Sequence, residues 1–270
     1  MLVFPNAKIN LGLNILNKRD DGYHNLETVF YPILIEDVLE IIAADTFEFT
    51  TSGISIDVIT EENICIQAYQ LLKKDFPQLP AVKMHLHKII PMGAGLGGGS
   101  ADGAFTLKLL NQKFELGLST AQLINYSLQL GSDCPFFILN KPSFASGRGE
   151  ILEEINIDLS NYKIILINPG IHIHTGWAFT QLTPPLLSKK RKEIIQQPID
   201  SWKAELLNDF ETPVFKKHPE IKSIKEKLYN QGAIYASMSG SGSSVFGIFN
   251  KEEITNFPLP ENYFIKELFC

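Results

Sequence analysis

The feature that most constrains this 270-residue chain is a glycine-rich stretch over residues 91–100, PMGAGLGGGS. Residues 82–90 before it alternate apolar and polar side chains, which predicts a half-buried strand. Apolar residues at helical spacing follow it, and Ser100 is a suitable N-cap for that helix. The order strand, glycine loop, helix favours phosphate binding, because glycine lets backbone N–H groups approach an anion at the positive end of a helix.

The alternative is a glycine-rich turn that binds nothing. Five glycines lie within these ten residues. Each glycine in regular structure costs about 0.5–1 kcal/mol relative to alanine, so five of them at one strand-to-helix junction favour a functional loop.

Two common phosphate loops do not fit this stretch. The Walker loop requires a lysine before its final serine or threonine, and here Ser100 follows Gly99. The dinucleotide pattern is matched at Gly93, Gly95 and Gly98, but it requires a strand after the first helix. Residues 119–130 instead predict a second helix with a capping box, which argues against an NAD or FAD site.

Composition and charge exclude several classes of protein. The chain has 24 Lys and Arg against 30 Asp and Glu, a net charge of −6, which argues against nucleic-acid binding. No segment approaches 18 uninterrupted apolar residues, and the N-terminus does not resemble a secretory signal, so neither a membrane span nor secretion is expected. Cys65, Cys134 and Cys270 are odd in number and far apart, which predicts reduced thiols in a cytoplasmic protein.

Predicted strands and helices segregate along the chain and do not alternate strictly, which predicts an α+β fold. The first domain is expected to end near residue 155 and the second to begin near Tyr162. Residues 184–202 lack a clear pattern and are interpreted as mobile or partly helical. The other predicted elements are a hairpin of 3–16 with 25–33, strands over 38–42, 46–50, 54–59, 162–168 and 263–269, helices over 61–74 and from Pro219, and two strands around a glycine–serine turn within 233–249.

The glycine stretch resembles the phosphate loop of the GHMP kinases, whose pattern is Pro, three variable residues, Gly-Leu, three small residues, then Ser or Ala. Four further segments stand in the order found in one family of these kinases: PNAKINL from Pro5, DGYH from Asp21, GSDCP from Gly131 and SGSGSSVF from Ser239. The resemblance covers essentially the whole chain.

The resemblance implies a two-domain α+β GHMP kinase fold with the active site in the cleft between the domains. An N-terminal mixed-sheet ATP-binding domain would span 1–157, and a C-terminal ferredoxin-like α/β sandwich domain would span 158–270. The implied reaction uses ATP and Mg²⁺ to phosphorylate the 2-hydroxyl of a cytidine diphosphate methylerythritol, in non-mevalonate isoprenoid biosynthesis. A monomer or weak homodimer is expected, and the metal ligands are not identified.

The resemblance also assigns site residues. From the residues alone, the favoured interpretations are a solvent-exposed strand face for Lys8 and the cap of a short helix for Asp133. By resemblance, Asp133 is the general base and Lys8 is its cationic partner. The ATP side would comprise Asn63, Lys88 and the loop residues Pro91, Met92, Gly93, Ala94, Gly95, Leu96, Gly97, Gly98, Gly99, Ser100 and Ala101. The substrate side would comprise Asn10, Tyr23, His24, Phe30, Thr175 and Phe179.

Two other functions remain open at this point. One is a different small-molecule GHMP kinase of the homoserine or mevalonate type. The aromatic residues Tyr23, His24 and Phe179 argue against it, because aromatic stacking suits a nucleobase. The other is a non-catalytic sensor of sugar and ATP, against which the presence of both Lys8 and Asp133 argues.

Overall fold

The computed structural model describes residues 1–56, 62–182, 191–253, 255 and 257–269. Parts of three predicted segments, 54–59, 61–74 and 184–202, lie outside these residues, as does Cys270. Within the described residues, no helix is long and apolar enough to cross a membrane.

The chain forms two compact units that alternate along the sequence. The first unit comprises Met1–Ala7, Leu34–Met92 and Gly97–Lys141, and the second comprises Lys8–Ile33, Gly93–Leu96 and Pro142–Cys270. The proposed sequence domains, 1–157 and 158–270, stay a prediction.

The first unit contains a four-stranded mixed sheet. Its strands, in spatial order, are β1 (Leu2–Val3), β4 (Val38–Ala43), β6 (Val82–Lys88) and β5 (Glu48–Gly53). Strand β5 runs parallel to β6, and the other neighbouring pairs are antiparallel. The predicted alternation in β6 is confirmed, because Val82, Met84 and Leu86 are buried while Lys83 is exposed. The buried side chains of β6 therefore fix the position of the residue at which the glycine loop begins.

In the part of the first unit that the structure describes, four helices accompany the sheet: α1 (Ile64–Asp75), α2 (Gly98–Lys113), α3 (Thr120–Leu130) and α4 (Cys134–Leu139). Helix α2 packs against the other three. The predicted capping box is confirmed at α3, where Ser119 and Gln122 cap each other's backbone, so the second element after the loop is a helix. The prediction that Ser100 caps α2 is wrong. The helix begins at Gly98 with Gly97 as its N-cap, because the left-handed backbone of Gly97 (φ 71°) starts the turn earlier.

The described residues of the second unit form two sheets. The first has the order β2 (Asn6–Lys18), β3 (His24–Glu36), β7 (Ser143–Ser146) and β8 (Ile151–Glu154), which confirms the predicted hairpin. The second has the antiparallel order β10 (Tyr235–Met238), β11 (Val245–Asn250), β9 (Tyr162–Asn168) and β12 (Phe264–Phe269). The predicted strand over 162–168, the strand pair around the glycine–serine turn and the last strand are all confirmed.

Helices of the second unit are α5 (Thr175–Thr180), α6 (Arg191–Ile194), α7 (Ile199–Glu205), α8 (Glu211–Lys217) and α9 (Pro219–Asn230). The predicted helix from Pro219 is confirmed, with Ile221, Ile224 and Leu228 buried on one face. This face shares a core with Ile165 and Ile167 of β9. The core fixes the ends of β10 and β11, and so the turn that joins them.

Candidate active site

The glycine loop takes backbone conformations that side chains disfavour. Gly93, Gly95 and Gly97 have φ values of 61°, 77° and 71°. A Cβ atom at Gly95 would lie 1.9 Å from the carbonyl oxygen of Ser239, which is well inside van der Waals contact. Glycine at position 95 is therefore required both by its backbone angle and by the approach of a neighbouring strand end.

Among the described residues, the backbone N–H groups at the start of α2 have no backbone acceptor. The first i→i−4 hydrogen bond of this helix runs from the N–H of Ala101 to the carbonyl of Gly97 at 2.9 Å. The N–H groups of Gly98, Gly99 and Ser100 precede it, and the first turn contains no acidic side chain. Such donors, together with the positive end of the helix dipole, can bind a phosphate group.

The glycine–serine turn over 239–243 supports the loop within the second unit. The Ser239 hydroxyl donates to the carbonyl oxygen of Gly95 at 2.7 Å and accepts the N–H of Asn10 at 3.2 Å. The N–H of Ser244 donates to the carbonyl oxygen of Ala94 at 3.2 Å. These bonds fix the carbonyls of the loop, so the turn determines the conformation of residues 94–95.

Asn208 anchors this turn, a role that no local sequence pattern predicted. Its side-chain nitrogen donates to the carbonyl oxygens of Met238 at 2.7 Å and Gly240 at 2.9 Å. Its side-chain oxygen accepts the N–H of Phe210 at 3.0 Å, and the residue is buried. The only local sequence pattern at this position is an Asn-Asp pair before a helix, which predicts a turn. That pattern does not predict hydrogen bonds from Asn208 to residues 30 or more positions away.

Lys8 and Asn10 contact each other, as expected for the same face of one strand. The Lys8 ammonium donates to the side-chain oxygen of Asn10 at 2.7 Å and to the carbonyl oxygen of Gly95 at 3.3 Å. It also lies 4.9 Å from the centre of the Phe30 ring. Lys8 is only 3% exposed, so the interpretation as a lysine on a wet strand face is wrong. A buried ammonium close to the glycine loop can stabilise negative charge that develops on a reacting group.

Asp133 directly precedes α4 and occupies its N-cap position. Its carboxylate makes no capping hydrogen bond, and Pro135 stands in the first turn, where no N–H donor is needed. The residue is half-buried. Asp133 therefore stands at the predicted cap position with Pro135 in the first turn, but its side chain does not cap the helix. Its action together with Lys8 stays a prediction.

The aromatic residues expected at the cytidine end form two separate contacts. The His24 ring stacks on Phe179 with centroids 4.7 Å apart and 16° between the planes. Burial, and then the charge of Lys18, lower the pKa of His24, so this ring is neutral near pH 7 and can both donate and accept a hydrogen bond. Tyr23 is 54% exposed, and the Arg148 guanidinium lies 4.7 Å from its ring centre.

Among the other predicted site residues, Thr175 shares a 3.0 Å hydrogen bond between hydroxyl groups with Ser241 of the glycine–serine turn. Asn63 caps α1 by accepting the N–H of Cys65 at 2.9 Å. Lys88 is buried and forms ion pairs with Asp37 and Asp102, two residues that the sequence analysis did not find. The predicted contacts of Asn63 and Lys88 with ATP stay predictions.

Comparison with known proteins gives consistent matches. The profile of the GHMP kinases N terminal domain matches residues 63–141, and that of the GHMP kinases C terminal matches 191–257. The 4-diphosphocytidyl-2-C-methyl-D-erythritol kinase of Bacteroides fragilis is 53% identical, covering 94% of this chain and 93% of that protein. The enzyme of the same name from Bacteroides thetaiotaomicron is 50% identical, covering 100% and 98%.

Solved structures agree with this result. A crystal structure of 4-(cytidine 5'-diphospho)-2C-methyl-D-erythritol kinase superposes with a TM-score of 0.78 at 30% identity, covering 92% of this chain and 89% of that chain. The mevalonate kinase of Methanococcus jannaschii gives a TM-score of 0.68 at 13% identity, covering 94% and 92%, which is a likeness of fold alone.

Proposed function

This chain belongs to the 4-diphosphocytidyl-2-C-methyl-D-erythritol kinase family of the GHMP kinases, and we propose that it transfers the terminal phosphoryl group of ATP to the 2-hydroxyl of 4-diphosphocytidyl-2-C-methyl-D-erythritol. It is a small-molecule kinase of isoprenoid precursor biosynthesis. The observation that carries the proposal is 50–53% identity to enzymes of this name over almost the entire chain.

Residues 91–101 are proposed to hold the phosphates of ATP. Support comes from the three unpaired N–H groups at the start of α2 and from the absence of an acidic side chain in its first turn. The bonds from Ser239 and Ser244 hold two loop carbonyls, at Gly95 and Ala94. A pre-formed loop loses little entropy when the nucleotide binds.

Asp133 and Lys8 are proposed to act on the acceptor hydroxyl. Asp133 accepts the proton of the 2-hydroxyl, the hydroxyl oxygen forms a bond to the terminal phosphorus, and the bond from that phosphorus to ADP breaks. Lys8 stabilises the charge on the reacting oxygens, and its bond to Asn10 keeps the ammonium oriented. Because the transition state of phosphoryl transfer is loose, orientation and charge supply most of the rate.

The cytidine end of the substrate is proposed to lie against Tyr23 and Phe179, with His24 and Phe30 beside them. Thr175 is proposed to lie near the methylerythritol. A neutral imidazole at His24 suits the donor and acceptor edge of cytosine. The exposed ring of Tyr23 offers a stacking surface, which is commonly worth about 1–3 kcal/mol per base.

Mg²⁺ is proposed as the metal that accompanies ATP and neutralises its phosphate charge. Mg²⁺ usually binds nucleotide phosphates and only one or two protein carboxylates. Among the described residues, no group of three His, Cys, Asp or Glu side chains could hold a metal by itself, and this fits a metal that arrives on the nucleotide. We also propose a cytoplasmic location and a monomer or weak homodimer.

The proposed substrate is tested by measuring ADP release with a panel of alcohols. With ATP and Mg²⁺, we expect turnover with 4-diphosphocytidyl-2-C-methyl-D-erythritol and none above background with homoserine or mevalonate. Turnover with either of the latter at a comparable kcat/KM would contradict the proposed substrate. Failure of all three would favour a non-catalytic sensor.

The proposed base is tested with Asp133→Asn. This variant should bind ATP about as well as the wild type and lose at least about 10²-fold in kcat, which is the lower end of general-base contributions. Asp45→Asn, at an exposed position of the first unit, is the matched control and should keep wild-type turnover. Undiminished kcat in Asp133→Asn would remove Asp133 from the role of base.

A further inference from the structure

Within the first unit, a buried cluster of two carboxylates and one ammonium connects the two ends of the glycine loop. Lys88, at the end of β6, is 2% exposed, and its ammonium contacts the carboxylate of Asp37. The same ammonium lies 2.7 Å from a carboxylate oxygen of Asp102, which belongs to α2. The N–H groups of Ile89 and Ile90 donate to Asp37 at 2.6 and 2.9 Å. The strand before the loop and the helix after it are thus held by one set of polar contacts.

The cluster lies directly against the first turn of α2. A Cβ atom built at Gly98 would be 2.9 Å from the Ile90 side chain and 3.3 Å from the Lys88 nitrogen. The unpaired N–H groups of this turn are the proposed phosphate donors. A change of charge in the cluster would therefore act on an anion bound at this turn.

The two carboxylates are not equivalent. Asp37 accepts three donors, from Lys88, Ile89 and Ile90. Asp102 accepts Lys88 on one oxygen, while its other oxygen is buried and has no hydrogen-bond partner among the described residues. An ionised oxygen without a donor is costly to bury, so a proton on the cluster belongs on Asp102.

Charge balance leads to the same assignment. With Asp37 ionised and Lys88 protonated, a neutral Asp102 leaves the cluster uncharged, whereas an ionised Asp102 leaves one buried negative charge. Burial raises the pKa of Asp102 to about 8 despite the opposing effect of Lys88. From α1, the Cys65 thiol also faces the cluster, and burial together with Asp102 raises its pKa, so it stays neutral. Burial opposes the charge of Lys88, but the interactions with its two carboxyl neighbours, hydrogen bonds included, outweigh burial and raise the pKa of Lys88, which stays charged.

We propose that Asp102 is a proton-linked positioning residue for the nucleotide. With its proton, Asp102 completes a neutral cluster that holds the glycine loop; without it, the added negative charge under α2 opposes the phosphates. The consequence is a nucleotide affinity that weakens above about pH 8, with no direct contact between Asp102 and the nucleotide. This inference rests on the proposed binding of ATP at the loop.

The test is calorimetric titration of the wild-type protein and Asp102→Asn with ADP between pH 7 and pH 9. An amide has nearly the shape of a protonated carboxyl group and cannot ionise. For the wild type we expect Kd to rise about threefold to tenfold across this range, consistent with one added charge at partly screened distance. For Asp102→Asn we expect Kd to stay flat and to match the wild-type value at pH 7 within about threefold. Asp45→Asn should keep the wild-type profile.

Steady-state kinetics separates this role from a structural one. Over the same pH range, KM for ATP should follow the change in Kd while kcat changes in the same way in both proteins. A merely structural role for Asp102 would lower stability and activity in Asp102→Asn at every pH, and would leave the slope against pH unchanged. That result would overturn the proposal.

A second measurement does not depend on the variant. In wild-type protein with ¹³C-labelled aspartate carboxyl groups, one carboxyl resonance should titrate near pH 8. If every aspartate carboxyl group titrates below about pH 6, the proposal is wrong. A pH-independent Kd for ADP would overturn this inference alone, whereas no binding of ADP at any pH would overturn it together with the proposed function.

Discussion

Replacement of Asn208 by alanine should destabilise the protein through the loss of three buried hydrogen bonds. The carbonyl oxygens of Met238 and Gly240 and the N–H of Phe210 would lose their partner. Each buried polar group left unsatisfied costs about 1–3 kcal/mol. Water can enter part of the space left by the amide, so we take the lower end for each group and expect a loss of about 3 kcal/mol.

Urea unfolding followed by tryptophan fluorescence measures this loss, since Trp202 is buried in the same unit. With a slope of roughly 3 kcal/mol per molar urea, the midpoint should fall by about 1 M. The turn over 239–243 also holds the loop carbonyl of Gly95, so kcat/KM should fall as well.

Two further variants give the prediction its controls. Asn208→Asp keeps an acceptor for Phe210 but places a carboxylate oxygen against two carbonyls, so it should be at least as destabilising as alanine. Asn111→Ala removes two side-chain hydrogen bonds to Leu118, far from the turn in sequence, and should lower stability while leaving kcat/KM close to wild type. A loss below about 1 kcal/mol in Asn208→Ala would refute the reasoning that these bonds anchor the turn.

The remaining predictions concern the loop, the cytidine end and the thiols. Gly95→Ala should lower the Tm and raise KM for ATP at least about tenfold, because its Cβ would meet a backbone carbonyl. Gly99→Ala should keep or raise the Tm, because a Cβ at Gly99 has no atom of the described residues within 4 Å. Tyr23→Ala should raise KM for the cytidine substrate about tenfold or more with little change in KM for ATP; equal effects would count against stacking. Burial raises the pKa of Cys134 to about 12 and also raises that of Cys65, so neither should react with N-ethylmaleimide at pH 8 until urea unfolds the protein, as judged by peptide mass spectrometry.

Local patterns predicted the elements well where one face of the chain is buried. The alternation in β6 and the apolar face of α9 follow directly from the periods of strand and helix. The contact between Lys8 and Asn10 was predictable for the same reason, since residues two apart share a strand face. The first residue of α2 was not predictable, because consecutive glycines allow the helix to begin at several positions.

Residues that act through distant partners escaped the sequence analysis. Lys88 and Asp37 are 51 positions apart, and Asn208 and Met238 are 30 positions apart. No periodicity relates such pairs, and a buried charged residue resembles an exposed one until its partners are known. The burial and the pairing of Asp102 could not be predicted for the same reason, although the glycines of its helix indicated phosphate binding.

The position of β9 within its sheet has a consequence for biosynthesis. This strand lies between β11 and β12, with Ile164 paired to Ile248 on one side and to Leu268 on the other. Both partners follow it in the chain, so β9 leaves the ribosome long before either is available. Until then, the nascent chain carries an apolar segment with two open edges, a typical point for aggregation or chaperone binding. The sheet that contains β9 can therefore be completed only after translation has passed residue 269.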